Sequence, residues 1–196
     1  MRRSLLFFCA LMMFLTAGCS TGAKKALPDD IRASYSAIQE FTTRTAITVE
    51  TADRTAEYQI DWVYQHGIST MTVVEPEEIA GITARTNDQG LHFLYKDAVL
   101  TVEPGGTVLS PLEALPELFF GWVGGEVQDY TRETRNGVET LAVSYAMERG
   151  GRPYCQRVWF DAARLTPLEA EFYQNGVLTL RCTFLTFQAS PMPTFD

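Results

Sequence analysis

The chain has 196 residues, a formal charge of −8 and 46% apolar residues, with twelve Phe and eight Tyr. This length suits one domain with a sizeable core, and the apolar fraction is too high for a disordered chain. An acidic chain without a basic stripe repels phosphate, which argues against nucleic acids and anionic lipid headgroups as partners.

The N-terminus has the order of a secretory signal. Arg2 and Arg3 precede the apolar run Leu5–Leu15, which is too short for a stable transmembrane helix. Ala17-Gly18-Cys19 resembles a bacterial lipobox, and this resemblance implies cleavage after Gly18 and lipid attachment at Cys19. The alternative is an ordinary signal peptide with an accidental cysteine.

These features divide the chain into four parts: a lipoprotein signal peptide (1–18), a lipidated tether (19–28), one folded domain (29–188) and a C-terminal tail (189–196). The loss of Arg2 and Arg3 with the signal would leave a formal charge of −10. Two or more acyl chains on Cys19 would hold the protein firmly on a membrane. We therefore predict the extracytoplasmic face of the cell membrane, or the outer membrane if the host has one.

A helix is predicted to begin at Pro28, where Asp29 and Asp30 place carboxylates at its positive end. Its apolar positions recur at helical spacing, and they are Ile31, Tyr35, Ile38 and Phe41. The predicted end lies near Thr42, where β-branched residues take over.

The period then changes to two, which predicts strands. In the clearest strand, Tyr58, Ile60 and Trp62 share one face while polar residues occupy the other. The strands predicted in this half are Ala46–Glu50, Ala56–Tyr64, Ile68–Val74, Ile79–Arg85, Leu91–Tyr95 and Ala98–Val102.

A second helix, Ser110–Gly124, interrupts the strands. Ser110 and Glu113 form a capping box, and Pro111 suits the first helical position. Pro116 lacks an amide hydrogen and is expected to kink the helix.

The second half reads as further strands joined by Asn136-Gly137, Gly150-Gly151 and Asn175-Gly176 hairpins. The predicted strands are Val127–Thr134, Val138–Met147, Tyr154–Phe160, Leu168–Tyr173 and Val177–Phe187. The tail from Ala189 carries two prolines and is not expected to extend the sheet. We predict an α+β fold: a curved antiparallel sheet of about ten strands, or incomplete β-barrel, whose apolar face is covered by the two helices.

This organisation resembles the superfamily of the LolA and LolB lipoprotein carriers. The features that carry the resemblance are the opening helix, the Asp61-Trp62 strand, the Pro76–Gly81 segment, the Ser110–Gly124 helix, the corner from Trp159 to Pro167 and the Asn175-Gly176 hairpin. The Pro76 and Ser110–Pro116 segments look closest to lipid-anchored LolA-like lipoproteins of Gram-positive bacteria, including the spore-germination type. The resemblance implies a half-barrel whose apolar hollow is lidded by helices, and 29–188 would be the LolA-like domain.

Residues on the apolar faces are candidates for the wall of such a hollow. They are Tyr58, Ile60, Trp62, Phe93, Leu115 and Trp122. An ordinary packed core uses the same residue types, and the sequence leaves the two possibilities open.

Catalytic chemistry has little support. Ser110 and Ser144 lack a nucleophile elbow, no phosphate-binding glycine loop is present, and neither His66 nor His92 has a second metal ligand nearby. We predict no enzyme, cofactor or metal site. The predicted function is a lipid-anchored protein that binds a hydrophobic ligand or an acylated protein. The alternative is a non-catalytic interaction or structural lipoprotein of an envelope or spore-germination assembly, with a packed core and an unknown protein partner.

Cys155 and Cys182 remain in the predicted domain, in a compartment that permits disulfides. They fall on the first and third strands of a meander, about 9.5 Å apart, whereas a disulfide needs Cα atoms within about 7 Å. We therefore predict no bond between them within the monomer, and we expect Cys182 on the apolar side.

Overall fold

A computed structural model describes residues 26–51, 54–87, 90–95, 98–102, 110–149 and 151–194. The predicted signal peptide and Cys19 lie outside these residues. The described part contains an eleven-stranded antiparallel sheet and two α-helices, α1 (Pro28–Ser36) and α2 (Pro111–Gly124). Among the residues that the structure describes, neither helix has the length and apolar character needed to cross a bilayer.

The strands follow the predicted chain order. They are β1 (Glu40–Glu50), β2 (Thr55–Gln65), β3 (Ile68–Glu75), β4 (Thr83–Asn87), β5 (Gly90–Tyr95), β6 (Ala98–Val102), β7 (Glu126–Arg135), β8 (Val138–Arg149), β9 (Arg152–Asp161), β10 (Pro167–Gln174) and β11 (Val177–Ser190).

The sheet is open, with the strand order β6-β5-β4-β3-β2-β1-β11-β10-β9-β8-β7. The first and last strands pair at its centre, and helix α2 connects the two outer strands β6 and β7. The predicted fold class, an antiparallel sheet with two helices that does not close into a barrel, is therefore confirmed.

The prediction that the first helix continues to Thr42 is wrong. Helix α1 ends at Ser36, and β1 begins at Glu40, six residues before the predicted Ala46. Glu40 and Phe41 already pair with β2 on one side and with β11 on the other. Hydrogen bonding to two neighbouring strands outweighs the helical spacing of Phe41.

Two other strand boundaries need correction. The predicted strand Ile79–Arg85 begins only at Thr83, because Glu77–Ile79 form a 3-10 turn and Gly81 takes a positive φ of +86°. At the C-terminus, β11 runs to Ser190 rather than Phe187, since Ala189 pairs with Phe41. The sheet therefore includes the first two residues of the predicted tail.

The predicted cap and the Asn136-Gly137 and Asn175-Gly176 turns are present, whereas Gly150 of the third predicted turn lies outside the described residues. Ser110 Oγ accepts a hydrogen bond from the Glu113 amide (3.3 Å), and the Glu113 carboxylate accepts one from the Ser110 amide (3.0 Å). Asn136 and Asn175 both take positive φ before a glycine, as two-residue hairpins require. Helix α2 runs through Pro116 without interruption.

The core lies between the helices and one face of the sheet, which we call the inner face. Its largest fully buried side chains include Trp62, Trp122, Tyr35 and Tyr145. Two contacts hold α1 in place: the Tyr35 hydroxyl donates to the Leu165 carbonyl (2.8 Å), and Arg32 Nη2 donates to the Gly125 carbonyl (2.6 Å). The opposite, outer face carries most of the charged residues.

Candidate functional site

The six predicted wall residues all lie in or against one core. Ile60, Trp62, Leu115 and Trp122 are fully buried, whereas Tyr58 and Phe93 are half-buried and pack against the same core. Ile60, Trp62 and Tyr58 share the inner face of β2, and Phe93 lies on β5. Leu115 and Trp122 come from α2.

Trp122 is surrounded by aromatic rings. The ring centroids of Tyr35, Phe160, Phe184 and Phe119 lie 4.9, 5.4, 5.9 and 6.2 Å from it, mostly in edge-to-face orientations. Such pairs add stability beyond the burial of their area. This part of the interface, where α2 faces β8–β11, is thus occupied by protein side chains.

Trp62 is also fully buried, with one close aromatic neighbour among the described residues. Its indole N–H donates to Ser69 Oγ (3.1 Å), and its ring meets Phe41 edge-on at 4.7 Å. Phe41 in turn lies 5.4 Å from Phe119 on α2. Aromatic contacts therefore connect Trp62 to Trp122 through Phe41 and Phe119.

Trp62 and Phe93 lie in one row across the sheet. Trp62 pairs with Met71, Met71 with Ala84, and Ala84 with Phe93. The row alongside it runs from Tyr64 through Ser69 and Thr86 to Leu91, so it also has short side chains in the middle. We call these inner-face positions Ser69, Ala84 and Thr86 the short-residue strip; Ser69 and Ala84 are buried and Thr86 is half-buried.

The two ends of the Trp62 strand border open grooves. A groove of about 440 Å³ lies where β1, β2 and β11 end, beside Phe41 and Tyr64. Another, of about 630 Å³, lies beside Tyr58 and is bordered by Glu57, Glu75 and Glu77. Most residues that line the two grooves belong to the outer face of the sheet.

Three buried polar atoms interrupt the aromatic packing under α2, and we call them the polar cluster: Trp122 Nε1, Tyr145 OH and Gln156 Oε1. None has a hydrogen-bond partner among the described residues. Gln156 and Tyr145 are cross-strand partners on β9 and β8, and Gln156 Nε2 donates to the Glu117 carbonyl of α2 (3.4 Å). Burial raises the pKa of the Tyr145 hydroxyl, which therefore stays a neutral donor.

Helix α2 lies very close to the sheet at this point. A Cβ added to Gly121 would stand 1.4 Å from Gln156 Nε2. The absence of a side chain at Gly121 therefore leaves the space that the Gln156 amide occupies. Tyr145 and Gln156 were not predicted from the sequence, although a glutamine two residues before Val158 and four before Phe160 on an apolar face is a detectable irregularity.

The outer face is covered by charged and hydrogen-bonded side chains. Trp159 is buried there with the Arg135 guanidinium 4.1 Å above its ring, and its indole N–H donates to Glu133. Nearby, Tyr173 donates to Glu171, and this hydrogen bond to a carboxylate raises the pKa of Tyr173 to about 12. We see no arrangement of a nucleophile and a base in these contacts.

The two cysteines lie as the strand order predicts. Cys155 on β9 and Cys182 on β11 are separated by β10, and both thiols are free. Cys155 pairs with Tyr173 and Cys182 with Ala170, which puts the two thiols on opposite faces. Burial raises the pKa of both, so neither is an activated thiolate. Within the described parts of the chain, no group of three potential metal ligands is found.

No family model matches the sequence, and no curated protein matches it. Solved structures do match the fold. A DUF1329 family protein from Desulfovibrio piger has a TM-score of 0.52 at 10% identity, over 83% of this chain and 91% of that chain. At this identity the similarity establishes a shared fold.

Two other similar structures score lower. A LolA superfamily protein from Nitrosomonas europaea has a TM-score of 0.45 at 12% identity, over 87% of this chain and 94% of that chain. The Mycobacterium tuberculosis lipoprotein LppX has a TM-score of 0.42 at 11% identity, over 82% of this chain and 93% of that chain.

Proposed function

We propose that this chain is a lipid-anchored, non-catalytic extracytoplasmic lipoprotein that binds a hydrophobic ligand, a lipid or an acylated protein, between its sheet and its helices. The observation that carries the proposal is the short-residue strip on an inner face that is otherwise built of large apolar side chains. In this proposal the helices are the lid, and the acyl chain of the ligand lies over β3 and β4.

The strip has taller side chains on both sides. Trp62 and Phe93 stand three strand spacings apart, about 14 Å, with Ala84 between Met71 and Phe93. A methyl group cannot fill the height that an indole or a phenyl ring occupies on the neighbouring strand. From this difference in side-chain height we infer a depression over Ala84, between Met71 and Phe93, as the place for an alkyl chain.

The chemistry of the depression suits a chain without charge. The Ser69 hydroxyl accepts from the Trp62 indole, so it is not a free polar group. Among the described residues, no lysine or arginine is buried in the core. Each methylene transferred from water to such a surface contributes about 0.8 kcal/mol, so a long chain supplies ample binding energy.

The test is Ala84→Leu, which fills the inferred depression on the inner face of β4. The matched control is Ala46→Leu, which adds the same side chain to the outer face of β1. The anchor-free protein is extracted with organic solvent, and co-purifying lipid is identified by mass spectrometry. We expect wild-type protein and Ala46→Leu to carry lipid and Ala84→Leu to carry at least ten times less. Wild-type protein without lipid, together with an Ala84→Leu variant that only loses stability by the 1–3 kcal/mol typical of overpacking, would reject the proposal.

The second candidate is an interaction or structural lipoprotein with a packed core, acting in an envelope or spore-germination assembly. The four rings around Trp122 favour it, because they fill the centre of the interface with protein. This candidate predicts no bound lipid in the experiment above.

The anchor is tested separately. Residues 1–25 lie outside the described part, so the support for an anchor at Cys19 is the lipobox resemblance. Cys19→Ala should release the protein from membranes or leave it unprocessed. An intact mass that shows an unmodified Cys19 thiol on the mature chain would remove the anchor from the proposal.

A further inference from the structure

We propose that the polar cluster binds the uncharged polar end of an amphiphilic ligand, so that the ligand is an acyl ester or amide with a hydroxyl or N–H group rather than a fatty acid or a phospholipid. This inference rests on the proposed function, because it assigns the other end of the same ligand.

The cluster offers both kinds of hydrogen-bonding atom. Trp122 Nε1 is a donor only, the Tyr145 hydroxyl is a donor or acceptor, and Gln156 Oε1 is an acceptor. The identity of the Gln156 oxygen is fixed, because the other atom of its amide donates to the Glu117 carbonyl and must be the nitrogen. An ester carbonyl accepts from the first two, and a hydroxyl or amide N–H donates to the third.

The three atoms belong to one layer of the molecule. Tyr145 and Gln156 are cross-strand neighbours, and Gly121, next to Trp122, touches the Gln156 side chain. Tyr35 lies on the helix side of this layer, and its ring centroid is 4.9 Å from that of Trp122. Buried polar atoms without partners are uncommon, and these three belong to side chains of neighbouring elements, so we assign their missing partner to the bound ligand.

The surroundings of the polar cluster favour a ligand whose polar end is uncharged. In the described part of the chain no cationic side chain is buried, and Arg32, the cation that acts on Tyr145, is exposed and already donates to the Gly125 carbonyl. An ionised carboxylate or phosphate would lose its hydration without gaining a buried counter-charge. A neutral ester or amide avoids this cost.

The position fits the acyl site as well. Strand β9 lies four strand spacings from β2, which is about 19 Å along the sheet and comparable to a long extended acyl chain. Between them, β1 presents Thr43 and Thr45, both buried, with hydroxyls that bond to the Thr186 and Ile60 carbonyls. These threonines are the short side chains on β1, and the rings of Phe41 and Phe187 flank them 5.6 Å apart.

The experiment uses full-length protein in detergent micelles and counts bound molecules by native mass spectrometry. The probes are 1-monooleoylglycerol, oleic acid and 1-octadecene, which share a chain length and differ in the polar end. The variants are Tyr145→Phe and Gln156→Met, both close to the volume of the residue replaced. The control is Tyr130→Phe, because Tyr130 is half-exposed on β7. Circular dichroism checks that each variant is folded.

We expect monooleoylglycerol to bind more tightly than either other probe. Tyr145→Phe and Gln156→Met should each weaken it about 3- to 10-fold, the size of one hydrogen bond, and leave 1-octadecene unchanged. Tyr145→Phe should also raise the unfolding midpoint of ligand-free protein, because it removes an unpaired buried hydroxyl.

Three results would overturn the inference. Equal affinity for 1-octadecene, with no effect of either variant, would mean that the cluster holds water only, while the hydrophobic-ligand proposal would stand. Tighter binding of oleic acid than of monooleoylglycerol would mean that the site prefers a charged polar end. Binding of no probe at all would reject the proposed function together with this inference.

Discussion

The close approach of α2 to β9 gives a quantitative prediction at Gly121. Alanine at this position gains about 1 kcal/mol of helix propensity over glycine. Its Cβ, however, would meet Gln156 Nε2 at 1.4 Å and Gln156 Cδ at 2.6 Å, so the amide must turn away from the Glu117 carbonyl. Overpacking and the loss of that hydrogen bond together cost about 2–4 kcal/mol. Gly121→Ala should therefore lower the free energy of unfolding by about 1–3 kcal/mol.

Gly124 is the matched control, because it lies three residues further along the same helix and a Cβ there meets nothing within 4 Å. Gly124→Ala should stabilise the protein by up to about 1 kcal/mol. Urea unfolding followed by circular dichroism measures both. In a Gln156→Ala background, Gly121→Ala should lose its penalty, which a double-mutant cycle reports as a coupling energy. If both glycine variants stabilise the protein equally, α2 does not press on β9 and the reasoning fails.

Three other predictions test the cap, the outer face and the sheet–helix interface. Ser110→Ala should lower the free energy of unfolding by about 1 kcal/mol, measured by thermal unfolding against Ser36→Ala as the control. The hydrogen bond to Glu171 raises the pKa of Tyr173 to about 12, so this contact stabilises the fold fully below pH 10 and is lost as the pH rises through 12. Glu171→Gln should lower the midpoint of the tyrosinate titration. An unchanged midpoint would contradict the assignment. Trp62→Ala should abolish lipid binding, and it should lower the free energy of unfolding by less than the roughly 3–5 kcal/mol that this change costs in a filled core. A loss of about 3–5 kcal/mol, together with wild-type protein that carries no lipid, would favour a packed interior.

The extent to which sequence predicted the fold depended on how locally each element is determined. Strand β2 alternates apolar and polar residues except at Val63, so its position was predicted within one residue at each end. The start of β1 could not be predicted from the sequence, for a physical reason. Thr43 and Thr45 are buried polar residues, tolerated because their hydroxyls bond to carbonyls of neighbouring strands, so this stretch lacks apolar alternation.

Long-range pairing left no local signal either. The central pair β1–β11 joins residues about 140 positions apart, and only the overall resemblance to LolA-type carriers indicated a sheet of this kind. The six wall residues were chosen from apolar faces, and the structure places all six in or against one core. Tyr145 and Gln156 were missed because polar residues on an apolar strand face carry no periodicity of their own.

The inner face combines two kinds of surface, and the difference bears on how the proposals can be tested. Around Trp122 the interface is dense, with rings within 6.2 Å and a helix close enough to exclude a Cβ at Gly121. Around Ala84 it is built from short side chains. Gly121 lies against β9, and several strands separate β9 from β4, which carries Ala84. The effects of substitutions at Gly121 and Ala84 on the free energy of unfolding should therefore add. A lipid-binding defect caused by Ala84→Leu but not by Gly121→Ala would therefore locate the acyl chain over β3 and β4, independently of how tightly α2 is held on β9.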